Sequence, residues 1–451
     1  MESFLLVIVV FLLYTFFFKK AAGTLNVTKL NMISALYYYI LFFNLIGVTL
    51  VFIGIREHYM IQKIAYVDTI NVTFFAVAYA VIVFPLFIFL THKACKVFFP
   101  LKTIDGFISE VVSYKRDMRS IQILLLFLII ICLLATSYVY FVLGRVPLID
   151  IFRGGNINVL RQNAGRFFSG NQYIKNIIML MLTPFLSYYA YIYYHLTLNK
   201  TWRNIFFILA VLSVFAVTYD FSKAPIINYL LGFYLTNVLL GRIHSGKQFI
   251  KLILLSGTII VFFYSVTIGT DVASILTLLG GPIGRIAFGQ IGPLFLHFET
   301  FPLRHPFLNG ASFNSWLSFL IPNAAGIRSG RVIMETYNAT GVEAGTAGVM
   351  NTLFIGEAYA NYGFVGVLIA PIIFGIIIGV VSYYLPSLQK RPTTILLYVE
   401  LTLTYIGIVE GGFIDIIYSA HIILIVLLTI LLDLVAGKRK NSLVMKQTKV
   451  K

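Results

Sequence analysis

The chain has 451 residues, 59% of them hydrophobic and only 11% charged, with a mean hydropathy of +0.91. Soluble domains run at about 45–50% apolar and about 25% charged, so an ordinary soluble enzyme is excluded and a single polytopic membrane domain is expected. The net charge of +17 falls between hydrophobic runs, where Lys and Arg set topology, and no nucleic-acid partner is expected. Two cysteines, Cys95 and Cys132, offer no disulfide and no metal-ligand set.

A hydrocarbon core of about 30 Å takes roughly 20 apolar residues per helix. On that measure the sequence predicts eleven spans, near 3–18, 34–55, 69–91, 121–143, 174–195, 204–220, 224–241, 249–268, 362–385, 393–412 and 415–436. The first is read as a helix rather than a signal peptide, because Lys19 and Lys20 follow the apolar run instead of preceding it. Basic residues gather in alternate connections: Lys19, Lys20 and Lys29; the 91–120 link; Lys200 and Arg203; Arg242, Lys247 and Lys251; Lys390 and Arg391; and the tail 438–451. These mark the cytoplasmic face, which places the N-terminus outside and the C-terminus inside. The 91–120 link carries an amphipathic pattern over 104–114 and is expected to lie on anionic membrane lipids.

Two external loops, 144–173 and 269–361, depart from that pattern. The first, read to Asn176, is GRVPLIDIFRGGNINVLRQNAGRFFSGNQYIKN, with Arg145, Arg153, Arg161, Arg166 and Lys175 against a lone Asp150. Its Gly and Asn content predicts irregular or short helical structure. Cations outside run against the insertion bias; they are either solvated loop charges or an anion site, for which the planar fork of Arg is suited. Lys223 opens a span three residues after Asp220 closes the previous one, as a structural ion pair or as a ligand-binding group. The larger loop holds Arg285, His297, Arg304, His305, Arg328 and Arg331 among Gly and Pro breaks. Its apolar runs over 275–301 predict amphipathic or re-entrant helices near the interface, with Arg285 and His297 on their polar sides. Glu357 lies a few residues before a span; it is a functional candidate by its depth or a helix N-terminal charge favoured by the macrodipole. Glu400 and Glu410 are weaker cases of the same kind.

Nucleotide-binding, dinucleotide, zinc-protease and serine-elbow motifs are absent, as is an Asp-x-Asp metal motif. No cofactor and no metal are therefore expected. Fixed guanidinium groups can stabilise a departing phosphate without a metal, while aromatic and Asn side chains suit sugar rings. A lipid-linked diphosphate leaving group with a carbohydrate nucleophile fits that inventory.

The segments PFLNGASFNSWLSFLIPNAAGIRSGRV and TLFIGEAYANYGFVGVLIAPIIFG resemble the end of the large external loop in bacterial oligosaccharide repeat-unit polymerases, the Wzy-type O-antigen polymerases. Glu357, Tyr359, Asn361, Gly363 and Gly366 match the family's Glu-x-Tyr-x-Asn-Tyr/Phe-Gly-x-x-Gly pattern. The Arg-x10-Gly pattern of some members is absent from the first loop. The resemblance implies an all-α polytopic membrane protein with a GT-C-like architecture, its membrane domain covering 1–437. It implies transfer of a growing glycan from undecaprenyl diphosphate to the terminal sugar of a lipid-linked repeat unit, with a chain-length regulator and a flippase as partners. Arg145, Arg153, Arg161, Arg166, Lys223, Arg304, Arg328, Arg331, Tyr359 and Asn361 would bind substrate; Glu357, Arg285, His297 and His305 would be catalytic. An O-antigen ligase-like transferase and a lipid-linked oligosaccharide transporter remain open alternatives.

These roles need both loops outside. Cysteines introduced at Asn156 and Asn338 are expected to react with an impermeant thiol reagent in cells with an opened outer barrier, with Cys95 protected. Labelling of Cys95 under those conditions would invert the topology.

Overall fold

The computed structural model describes residues 2–98, 102–114, 118–152, 157–165, 167–268, 277–278 and 281–436. All regular elements among them are helical, as lipid demands, because a helix pairs its own backbone N–H and C=O groups. Nine helices are long and apolar enough to cross a membrane: Glu2–Lys29, Met32–Phe52, Val67–Phe98, Arg119–Leu143, Ile174–Thr197, Lys200–Val217, Ile355–Ser387, Pro392–Gly411 and Phe413–Ala436. The chain is a multi-pass membrane protein. The two other expected spans are helical as well, but Lys223–Leu239 has only 17 residues, and Lys247–Ile268 ends where the described residues stop. Among the described residues the count is nine against the expected eleven. The tail 438–451 lies outside the described residues.

Val67–Phe98 and Ile355–Ser387 form the central helix pair. Polar rungs tie them along their length: Tyr79 donates to the Leu368 carbonyl at 3.0 Å, and His92 meets the Ser382 hydroxyl at 2.9 Å. Between the rungs Phe84 packs edge-on to Phe354 and Phe374.

The bundle has two chemically different ends. At one, Lys390 is buried and donates to the carbonyls of Ile108 and Glu110 at 2.8 and 2.9 Å, with its ammonium over the Phe107 ring. Lys29 pairs with Asp105 and Arg391 with Asp433 at this end. The helix Ile104–Ser109 buries Phe107 against Tyr398. The segment expected on lipid is therefore docked on the protein, because Lys390 satisfies its carbonyls. Lys223–Leu239 runs toward this end, since Gly241 beyond its C-terminus lies beside the Ile108 carbonyl. Lys223 therefore stands at the opposite end, where the first residues of Ile355–Ser387 and the last of Pro392–Gly411 meet, with the Phe354 N–H on the Val409 carbonyl.

The large loop is folded into this second end. Its helix Gly292–Thr300 buries all nine residues and wedges between Val67–Phe98 and Ile355–Ser387. Of the two expected forms, amphipathic or re-entrant, this helix is not the amphipathic one, because His297 has no polar side toward water; Arg285, on Pro282–Phe288, is exposed as expected. What admits the loop is a break in the site helix, where Tyr362 and Gly363 leave helical geometry and Gly363 takes φ of +59°. The break frees the carbonyls of Ala360 and Asn361, which accept the N–H groups of Leu308 and Asn309 at 2.8 and 3.1 Å. Only glycine adopts that φ without a penalty of about 1–2 kcal/mol, and a Cβ there would press on Phe307 at 3.2 Å. Gly363→Ala is expected to lower Tm in detergent by a few degrees and to expose the 302–328 loop to protease. An unchanged Tm would remove the break as a structural requirement.

Candidate active site

Glu357 lies in the first turn of its helix and is buried. Its Oε2 accepts the Ile414 N–H at 3.1 Å, and its Oε1 lies 3.8 Å from Arg328 Nη1. The acceptor position is the N-terminus of the short helix Phe413–Ile417, where an anion is favoured. Gly412 makes room for it, since a Cβ there would overlap Glu357 Oε2. Arg328 also gives Nη2 to Asp415 Oδ1 at 2.6 Å. One guanidinium thus bridges two carboxylates from helices that lie apart in sequence.

His297 faces the same pocket, which is lined further by Ser329, Thr352, Gly411 and Gly412. The imidazole is buried; its Nδ1 meets the Pro293 carbonyl at 2.7 Å and its Nε2 meets Ser329 Oγ at 3.2 Å. A carbonyl can only accept, so Nδ1 carries the proton and Nε2 is the free base, accepting the Ser329 O–H. Burial pushes this histidine down to about 4, the Pro293 hydrogen bond opposing it. The ring is neutral at physiological pH.

A second cluster gathers cations. Arg161 is on Ile157–Gly165, whose Ala164 carbonyl accepts the Tyr219 hydroxyl, and Tyr219 lies four residues before Lys223. The charges of Arg285 and Arg161 both act on Lys223. Arg285 is exposed on the short helix Pro282–Phe288. Asp220 accepts the Ser222 N–H at 3.0 Å and the Ser222 hydroxyl at 2.7 Å.

The expected site residues therefore divide. Glu357, His297 and Arg328 come together in the pocket; Arg161, Lys223 and Arg285 come together in the cationic cluster. Of the four cations expected on one anion, Lys223 and Arg285 act on each other, while Arg328 is held by Glu357 and Asp415. Arg331 pairs with Glu335 one turn on, and Arg304 pairs with the buried Glu299 at 3.3 Å. His305 turns its Nδ1 to the Pro306 carbonyl and packs on Phe301, away from the pocket lining. Tyr359, expected to bind substrate, donates to the Phe301 carbonyl at 3.0 Å and stacks on Phe298. Asn361 is fully buried, giving its amide N–H groups to Ser312 and the Glu357 carbonyl and accepting the Gly310 N–H. Both anchor the loop to the helix. Arg145 is exposed beyond Arg119–Leu143; Arg153 and Arg166 lie outside the described residues.

Ser329, Gly412 and Asp415 were not singled out by sequence. For Asp415 the signal existed, since it is an ionisable residue at the edge of a span like Glu357. Ser329 and Gly412 matter only through contacts across the fold.

Arg328→Ala would leave the Glu357 and Asp415 carboxylates facing each other without their bridge. Because Arg328 is partly solvated, the loss is expected at about 1–3 kcal/mol rather than the 3–5 of a fully buried pair. Adding Asp415→Asn should recover part of it. Thermal unfolding in detergent reads both; an unchanged Tm in Arg328→Ala would make the bridge energetically idle.

No protein-family model, curated protein or solved structure matches this chain.

Proposed function

We propose that this chain is a metal-independent glycosyltransferase of the bacterial inner membrane, a surface-polysaccharide polymerase. It would move the growing glycan from undecaprenyl diphosphate to the terminal sugar hydroxyl of a lipid-linked repeat unit. The observation that carries the reading is the meeting of Arg161, Lys223 and Arg285, from three segments, at the bundle end that also holds the His297 pocket. The resemblance of the Glu357–Gly366 stretch to repeat-unit polymerases supports it. That end of the bundle is then periplasmic, with the N-terminus outside and the C-terminus in the cytoplasm.

In this reaction the acceptor hydroxyl attacks the anomeric carbon of the donor glycan. The new C–O bond forms as the bond from that carbon to the diphosphate oxygen breaks, and the hydroxyl proton passes to a base. Cations stabilise the charge on the departing diphosphate, and Arg161, Lys223 and Arg285 take that role. His297 Nε2 takes the proton, with the sugar hydroxyl competing with Ser329 for it. A base held near 4 accepts late, once C–O bond formation has acidified the hydroxyl. Glu357 acts through Arg328 as a positioning residue, its oxygens engaged with that guanidinium and with Ile414.

Disruption of the gene is expected to leave a single repeat unit on the lipid A core. An unmodified core would instead indicate a ligase, and cytoplasmic accumulation a flippase. Complementation with Arg285→Ala should restore protein without polymer, and Arg285→Lys should restore little, since a point charge lacks the bidentate fork. Normal polymer with both variants would overturn the assignment of Arg285.

A further inference from the structure

No charged residue occurs over 306–327 of the large loop, and Trp316, Phe319 and Leu320 at its tip are 53%, 74% and 68% exposed. The lobe around them is closed: Gly326 and Ile327 give their N–H groups to the carbonyls of Phe313 and Ala311 at 2.7 and 2.9 Å. At the tip itself the Ser318 N–H bonds back to Ser315, and those of Leu320 and Ile321 to the Leu317 carbonyl. These donors are met within the tip, as backbone leaving water requires. The tip is fixed on two sides. Ile321 and the Tyr362 hydroxyl both lie against Gly310, and just beyond Tyr362 the site helix turns Phe364, Val365 and Leu368 outward as the exposed face of a span. On the other side Trp316 packs edge-on to Tyr418 with ring centroids 5.0 Å apart, and Tyr418 stands two residues before the apolar run Ala420–Ala436.

We propose that the tip carrying Trp316, Phe319 and Leu320 is an interfacial anchor, inserted into the bilayer leaflet at this end of the bundle. The inference is independent of the proposed reaction. Contiguous exposed apolar side chains are uncommon against water, and the exposed apolar faces of two spans border this tip. Trp suits the boundary, because its ring is apolar and its N–H polar. Asn314, Ser315 and Ser318, interleaved with the apolar residues, set the lobe at headgroup depth rather than in the hydrocarbon. Arg328 follows the lobe and holds Asp415, three residues before Tyr418. The anchor therefore keeps the rim of the His297 pocket at the boundary between water and lipid.

The chain has two tryptophans, and the other, Trp202, is buried and stacked on Tyr193. Trp202→Phe keeps a ring in that stack and leaves Trp316 as the reporter. The full-length variant is placed in phosphatidylcholine nanodiscs whose acyl chains are brominated near the headgroup. Trp316 is expected to lose about half its fluorescence there, less with bromine near the chain ends, and little to aqueous iodide. Adding Phe319→Asp and Leu320→Asp should lower quenching by the brominated lipid and raise quenching by iodide; no change would overturn the role of those two residues. Quenching of Trp316 by iodide without quenching by the brominated lipid would overturn the anchor. So would quenching by neither, which would mean that protein, a second copy of the chain included, covers the tip. Should Trp202→Phe not fold, the difference in quenching between wild type and Trp316→Phe reads the same quantity.

Discussion

A carboxylate held at the edge of a membrane has to be satisfied by the protein, and Glu357 draws two other segments to its own helix for that purpose. Ile414 offers an N–H from the start of one helix, Arg328 a guanidinium from the loop, and Gly412 the space. Asp415 then completes the environment of Arg328. Remove the carboxylate and the guanidinium has one anchor instead of two; fill Gly412 and the carboxylate has nowhere to lie. The pocket of His297 and Ser329 exists because this junction holds the loop, the site helix and the turn at 411–412 in register.

The same end of the molecule solves a backbone problem. A loop entering a bundle brings unpaired N–H groups into a region with little water, at a cost of several kcal/mol for each one left unmet in lipid. The break at Tyr362 and Gly363 supplies two carbonyls where Leu308 and Asn309 need them. Asn361 fastens the same joint with its side chain, on Ser312 and Gly310. Kink and loop therefore require each other: an uninterrupted helix would consume those carbonyls, and without the loop the kink would leave them empty.

Much of the framework was legible in the sequence, because span length and hydropathy are local properties. The helices Val67–Phe98, Arg119–Leu143 and Pro392–Gly411 are visible as apolar runs of the right size. The importance of the stretch from Glu357 to Gly366 was legible too, but the division of labour within it was not. Tyr359 and Asn361 read as binding groups because they are polar and near a loop, yet their partners are backbone groups about 50 residues away in sequence. Ser329 carries no local signal; it acquires meaning from His297 on another helix. The 104–109 helix misled for the same reason: its amphipathic pattern states that one face is apolar, and says nothing of whether lipid or Tyr398 covers it.

Charge placement separates the two clusters chemically. Two like charges about 4 Å apart near a protein surface repel by about 4 kcal/mol at an effective dielectric of about 20. Arg328 already lies against two carboxylates, so an incoming phosphate meets repulsion from Asp415 and Glu357 that offsets what the guanidinium gains. Arg304 and Arg331 are placed likewise by Glu299 and Glu335. Around Lys223 the charges of Arg285 and Arg161 carry its own sign, so no attraction among the three holds them and their placement follows from the packing of the segments that carry them. Arg304, Arg328 and Arg331 by contrast are fixed by carboxylates and hold the fold of the large loop.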